Sequence, residues 1–118
     1  MANSVTCFAT TQVHFAVIDT DATGGLNTAT FYRPFRISAI DGFVTTAVGG
    51  STITIARVRG GVATTLAVLN TAALGPAPFT TNIDQNVALF QSGDILRLTA
   101  SAAGTTANVF FTILPFSL

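Results

Sequence analysis

Lysine, glutamate and tryptophan are all absent from this chain of 118 residues. Five arginines and five aspartates supply its charged side chains, so charged residues make up 8% of the sequence and the formal net charge is zero. A typical soluble domain is about one-quarter charged. Because nucleic acids and anionic membranes are bound by proteins with a surplus of basic residues, we expect neither of them as a partner.

Cysteine and long apolar runs are also scarce. Cys7 is the single cysteine, which excludes a disulfide within the chain and leaves the redox compartment undetermined. The first residues lack a basic region followed by an apolar run, so we expect no secretory signal. Polar residues interrupt every apolar stretch well before the roughly 20 residues that a membrane-spanning helix needs, so we expect no such helix.

Threonine, valine, isoleucine, phenylalanine and alanine dominate what is present, and most of these residue types favour β-strands. Apolar and polar residues alternate in five segments, which is the pattern of a strand with one buried face. No segment shows the spacing of an amphipathic helix. The residues predicted to face the core in these segments are Val13, Phe15, Val17, Phe35, Ile37, Ala39, Ile53, Ile55, Leu96, Leu98, Ala100, Val109, Phe111 and Ile113.

Glycine-rich turn signals separate the strand-like segments. The clearest is Gly60-Gly61, which predicts a hairpin between strands at 52–59 and 62–69. Asp41-Gly42 is interpreted as a tight turn or a bulge. About eight strands at spacings of roughly 8–12 residues predict an antiparallel β-sandwich or barrel. We expect one domain over residues 1–118, with residues 1–11 forming an edge strand or an arm that reaches a neighbouring subunit.

Catalytic chemistry has little support in the sequence. His14 is the only imidazole and Cys7 the only thiol, and the five aspartates are scattered beside turns. A hydrolase would need His14, Cys7 and an aspartate such as Asp19 to meet in one pocket. Their spacing resembles no known nucleophile turn, so we expect no catalytic residues and no enzyme activity.

A weak calcium-site candidate lies at Asp19 and Asp21, within the sequence Asp-Thr-Asp-Ala-Thr-Gly. This order of residues is similar to the first half of a calcium loop. Thr30 stands where such a loop has its closing glutamate, so an ordinary aspartate-initiated turn is favoured. We therefore expect neither a metal ion nor a cofactor.

Association with other proteins is the function that composition favours, because a neutral, charge-poor surface tends to associate. Residues 31–35 combine three aromatic rings with Arg33, which indicates either a contact patch or an edge strand interrupted by Pro34. The predicted contact residues are Phe31, Tyr32, Arg33, Phe35, Arg57, Arg59, Phe110 and Phe116.

Two of these assignments have alternatives. The segment 109–116 is apolar on both faces, so it is either covered by another subunit or is a central strand with Phe110 and Leu114 under a loop. Arg57 and Arg59 are either edge charges that block sheet extension or partners of an aspartate across a subunit boundary.

A family resemblance is carried by the segment Phe35-Arg36-Ile37-Ser38-Ala39-Ile40-Asp41-Gly42-Phe43-Val44 and by three further stretches. These are Ser51-Thr52-Ile53-Thr54-Ile55-Ala56-Arg57-Val58, Ser92-Gly93-Asp94-Ile95-Leu96-Arg97-Leu98, and Val109 to Ile113. Together they resemble small jelly-roll virion proteins of tailed bacteriophages, of the capsid decoration or cement type. The resemblance covers roughly residues 35–114, and its motifs are general ones for β-sandwiches. The low charge of this chain departs from that pattern.

The resemblance implies a jelly-roll-like fold and a homo-oligomer, expected to be a trimer, on the outer surface of the virion capsid. Such a protein bridges neighbouring subunits of the major capsid protein through arms or terminal strands and has no catalytic residues. The alternative function is a receptor-binding tip domain of a phage tail spike or fibre. That alternative requires a groove or an exposed aromatic cluster at the distal loops.

Overall fold

A computed structural model describes residues 11–18, 26–102 and 104–115, of which residues 11–18, 26, 27 and 115 are described by their backbone only. All regular elements of these residues are β-strands, and none is a helix long and apolar enough to cross a membrane. The strands are β1 (Thr11–Ile18), β2 (Leu26–Thr30), β3 (Phe35–Thr46), β4 (Thr52–Arg59), β5 (Val62–Asn70), β6 (Gly75–Ala77), β7 (Phe79–Thr81), β8 (Leu89–Phe90), β9 (Ile95–Ala100) and β10 (Thr106–Pro115).

The strands form two antiparallel sheets, which confirms the all-β sandwich predicted from the sequence. The first sheet has the order β1-β10-β3-β6, with β8 also paired to β3, and the second has the order β2-β9-β4-β5-β7. If β6 and β8 are counted as halves of one interrupted edge strand and the short β7 is set aside, eight strands remain. Their orders are then first-eighth-third-sixth and second-seventh-fourth-fifth, which is the order of a jelly roll.

The core lies between the inner faces of the two sheets, where most of the residues predicted to face it are buried. Val13, Phe15 and Val17 lie in β1, as expected of a strand, and their side chains are not among those described. Ile113 is only partly buried, although it packs against the core. The predicted core residues that the structure shows buried are Phe35, Ile37, Ile53, Ile55, Leu96, Leu98, Ala100, Val109 and Phe111.

A β-bulge in β3 shifts the predicted alternation by one residue. Ile37 pairs with Ile113 and Ala39 pairs with Thr112, so Ser38 is an additional residue on the β3 side. Beyond the bulge Ile40 is buried, and Ala39 is only half-buried. The prediction for Ala39 is therefore wrong, because a one-residue shift exchanges the two faces of a strand.

Gly42 lies inside β3 and not in a turn, which corrects the interpretation of Asp41-Gly42. A Cβ atom at Gly42 would lie 2.9 Å from Leu69 Cδ1 of the second sheet and 3.2 Å from Ala77 Cβ of β6. Glycine is thus favoured by the close approach of neighbouring side chains, since an added Cβ would have to move the end of the Leu69 side chain. Its backbone is not in the left-handed region.

The hairpin predicted at Gly60-Gly61 is confirmed. Strand β4 ends at Arg59 and β5 begins at Val62, and Arg59 pairs with Val62. Both glycines have positive φ, 59° at Gly60 and 79° at Gly61. A two-residue turn with both central residues in this region matches the twist of the flanking strands.

Replacing Gly42 with alanine is expected to destabilise the sandwich. The new methyl group must displace Leu69 or Ala77, at a cost of about 1–3 kcal/mol for overpacking a core. Thermal or denaturant unfolding of the purified variant measures this change. Gly49→Ala is the matched control, since a Cβ there meets nothing within 4 Å and φ is not positive. Equal stability of the two variants would contradict the packing argument.

Candidate functional site

The candidate site is the connection between β2 and β3, residues 31–34, which we call the contact loop. Its backbone is held by the turn at residues 91–94. Phe31 N–H donates to Asp94 O at 3.2 Å, and Gly93 N–H donates to Phe31 O at 2.7 Å. Ser92 Oγ donates to Tyr32 O at 3.0 Å. Three hydrogen bonds to one turn therefore fix the start of the loop.

Two phenylalanines anchor the contact loop on the core. The Phe31 ring meets the Phe35 ring edge-on with centroids 4.7 Å apart, and Phe35 stacks on Phe90 at 4.8 Å. Phe35 is 3% exposed, so a partner could reach it only through the pocket described below, and its contact with a partner stays a prediction. It is buried because Phe90 lies opposite it on the paired strand β8. Phe31 is half-buried and packs against the core.

Tyr32 and Arg33 are the side chains that the contact loop presents to the exterior. Tyr32 is 76% exposed, and Arg33 is exposed as well. Within the described part of the chain, neither side chain takes part in a hydrogen bond or an ion pair. Tyrosine and arginine are enriched among the residues that dominate binding energies at protein interfaces. A loop already fixed in place loses little conformational entropy when it binds.

An open apolar pocket of about 270 Å³ lies beside these two side chains and is lined by residues 31–35 and Ile113. Sites for drug-sized ligands usually have about 300–1,000 Å³ and enclose most of the ligand. This pocket is smaller and open, so it suits one apolar side chain of a partner. Arg33 at its margin can bind a carboxylate next to that side chain.

The turn that holds the contact loop is itself fixed by an ion pair between Arg59 and Asp94. Arg59 Nη2 lies 2.6 Å from Asp94 Oδ2, and Arg59 Nε donates to Oδ1 and Oδ2 at 3.0 and 3.1 Å. Gln91 N–H also donates to Asp94 Oδ2, at 2.8 Å. The Asp94 side chain is 5% exposed and that of Arg59 is 38% exposed.

The ionised state of Asp94 is favoured despite its burial. Burial is the largest single influence and opposes ionisation, but the hydrogen bonds from Arg59 and Gln91 and the charges of Arg59 and Arg57 outweigh it. The pKa of Asp94 is therefore below its usual value. The hydrogen bond to Asp94 raises the pKa of Arg59 above its usual value, against a smaller opposing effect of burial.

Arg57 and Arg59 connect the two sheets at this end of the sandwich. Arg57 Nη1 donates to Val87 O at 3.3 Å and to Leu89 O at 3.0 Å, and Arg59 Nη2 also donates to Leu89 O, at 3.3 Å. Strand β4 lies between β9 and β5, so the prediction of edge charges is wrong. The aspartate that binds Arg59 belongs to the same chain, so pairing across a subunit boundary is also wrong for Arg59.

The structure does not bring the remaining predicted contact, catalytic and calcium-binding residues together with the contact loop among the residues that it describes. Phe110 is half-buried in β10, which is a central strand of the first sheet. The covering of Phe110 and Leu114, by a loop or by another subunit, stays a prediction, and so does the contact of Phe110 with a partner. Phe116, Cys7 and the calcium candidates Asp19 and Asp21 lie outside the described residues, and so does the His14 side chain. The described residues hold no group of three or more potential metal ligands.

Phe43 is an exposed aromatic residue that the sequence analysis missed. It is 51% exposed on the outer face of the first sheet, opposite Asn108 and Pro76 in the neighbouring strands. The interpretation of Asp41-Gly42 as a tight turn or a bulge did not indicate it. A continuous strand beyond the bulge places Asp41 and Phe43 on the same outer face.

No family model matches this chain, and no curated protein matches it. Function is therefore inferred from the strand order, the contact loop and its pocket.

Replacing Asp94 with asparagine is expected to lower the free energy of unfolding at pH 7 by about 1–3 kcal/mol, because Arg59 loses its charged partner. The folded-state pKa of Asp94 is lowered, so its stabilisation is present above the unfolded-state pKa. It is lost as the pH falls through the folded-state value. The difference between wild type and Asp94→Asn should therefore shrink in acid, which urea unfolding at pH 7 and near pH 2 measures.

Asp84→Asn is the control for this prediction. The Asp84 carboxylate is exposed and accepts a hydrogen bond from Asn86 N–H at 2.9 Å, which an amide oxygen can also accept. Asp84→Asn should leave stability at pH 7 nearly unchanged. An Asp94→Asn variant that is as stable as wild type at pH 7 would refute the structural role of the ion pair.

Proposed function

We propose that this chain is a structural virion protein, a capsid decoration or cement protein that binds the outer surface of a tailed-phage head. In this proposal it acts as a homo-oligomer, a trimer, and contacts the major capsid protein. The observation that carries the proposal is the fixed contact loop, which presents Tyr32 and Arg33 beside an apolar pocket on a jelly-roll sandwich. The proposal also rests on the family resemblance of residues 35–114.

The exterior of the sandwich supports a role in assembly. The chain has no net charge, and several large apolar side chains are exposed at separate places, among them Tyr32, Phe43 and Val62. Neutral surfaces with exposed apolar groups favour association over solvation. If this exterior binds other proteins, the exposed apolar side chains are removed from water by the partner.

Such a protein stabilises the capsid by adding contact area between neighbouring capsid subunits. A standard protein interface buries on the order of 1,600 Å² in total. An oligomer that touches several capsid subunits at once adds these interfaces together, since each further contact is made at high effective concentration. Modest contacts therefore give a stable shell when they are repeated over a lattice.

A second candidate function is favoured by Tyr32 alone. An aromatic ring that is 76% exposed on a loop at one end of a β-sandwich is also a stacking platform for a sugar. The chain would then be a receptor-binding tip domain of a tail spike or fibre. Binding of purified protein to cell-surface glycans, without binding to heads, would select this function.

Loss of the contact-loop side chains is expected to weaken binding to heads. The double variant Tyr32→Ala/Arg33→Ala should reduce affinity by at least about tenfold, as truncation of interface hot spots does. Co-sedimentation with phage heads that lack the protein, over a range of protein concentrations, measures this affinity.

Leu74→Ala is the matched control, because Leu74 is equally well exposed but follows β5 at the other end of the sandwich. It should bind heads like wild type, and both variants should keep the wild-type melting temperature. A wild-type protein that does not co-sediment with heads would refute the capsid function. Unchanged binding of the double variant would refute the role of the contact loop.

A further inference from the structure

Arg33 and Asp41 are exposed side chains of opposite charge, and neither has a partner in the described part of the chain. The other aspartates described there are both engaged, Asp94 by Arg59 and Asp84 by Asn86 N–H. Arg36 donates to Gln85 Oε1 at 3.2 Å. Among the exposed charged side chains of the described residues, Arg33 and Asp41 are thus the two without a partner.

Arg33 and Asp41 cannot pair within one chain. Strand β3 runs from Phe35 through Asp41, and six residue steps of an extended strand span roughly 20 Å. An ion pair needs its nitrogen and oxygen within about 4 Å. Any contact between these two side chains therefore joins two copies of the chain.

The surroundings of the two charges are also complementary. Asp41 and Phe43 lie on the same outer face of β3, two residues and about 7 Å apart. Arg33 stands at the margin of an apolar pocket that is large enough for one side chain. The Asp41 carboxylate next to the Phe43 ring is therefore complementary to the Arg33 guanidinium next to the apolar pocket.

We propose that the contact loop of one copy docks on the outer face of the first sheet of a second copy. Phe43 of the second copy enters the pocket, and its Asp41 binds Arg33. Because the two surfaces are different, the contact is head-to-tail, and it closes into a ring if its rotation permits. This inference rests on the proposed function, since it names the contact that forms the homo-oligomer. The weaker head binding expected of Tyr32→Ala/Arg33→Ala then follows from loss of the oligomer, whose contacts with the capsid add together.

Arg97 is the competing cation for Asp41. Its Nε is buried and has no partner within the described residues, and it belongs to β9 of the second sheet. Arg97 does not line the pocket that would receive the Phe43 ring. Arg33 carries a positive charge and lines the apolar pocket, so it is the preferred partner of Asp41.

A charge exchange tests the pairing. Arg33→Asp and Asp41→Arg should each weaken self-association by at least about tenfold, because each places like charges opposite one another. The double variant Arg33→Asp/Asp41→Arg should restore association to within about threefold of wild type. Sedimentation equilibrium over a concentration series measures these constants, and melting temperatures verify folding.

Two controls separate the pair from general charge effects. Asp84→Arg makes the same change of charge as Asp41→Arg at an exposed aspartate whose backbone N–H bonds to Leu66 O of the second sheet, and this variant should associate like wild type. Arg97→Asp/Asp41→Arg should remain as weak as Asp41→Arg alone. Restoration by Arg97→Asp, or a double exchange of Arg33 and Asp41 that stays weak, would overturn the proposal.

The inference and the proposed function fail in different ways. A wild-type chain that is monomeric in solution but co-sediments with heads overturns the inference and leaves the capsid function standing. A head-to-tail oligomer restored by the charge exchange, but without affinity for heads, overturns the capsid function and supports the inference.

Discussion

The ion pair between Arg59 and Asp94 is the interaction on which the end of the sandwich with the contact loop depends. It links β4 to the turn at residues 91–94, and that turn holds the loop through Phe31 and Tyr32. A buried ion pair is favourable only when the remaining acceptor positions are satisfied. Gln91 N–H supplies that further hydrogen bond to Asp94.

The scarcity of charge gives each ionised side chain a large effect on this surface. Arg57 and Arg59 are occupied within the fold, where they donate to carbonyls beside and within β8. The exposed surface is therefore mostly neutral and carries isolated charges such as Arg33 and Asp41. On such an exterior one complementary pair of charges can fix the orientation of a partner, because few other charges compete with it.

The strands were predictable because their signal is local. Alternation identified the inner faces of β4, β9 and β10, and two glycines identified the hairpin between β4 and β5. The bulge at Ser38 was not predictable, since an additional residue in a pair depends on the partner strand. The same dependence explains Gly42, which was interpreted as part of a tight turn or a bulge and instead lies inside β3, where Leu69 approaches it closely.

The sequence by itself determined the fold class, the hairpin, the neutral surface and the aromatic segment that includes Tyr32 and Arg33. Only the tertiary structure decided that Phe35 is buried, that Arg59 binds an aspartate of its own chain, and that Phe43 is exposed. The physical reason is the range of the interactions. Alternation and turn chemistry act between neighbours in the chain, whereas burial and ion pairing depend on which strands the fold brings together.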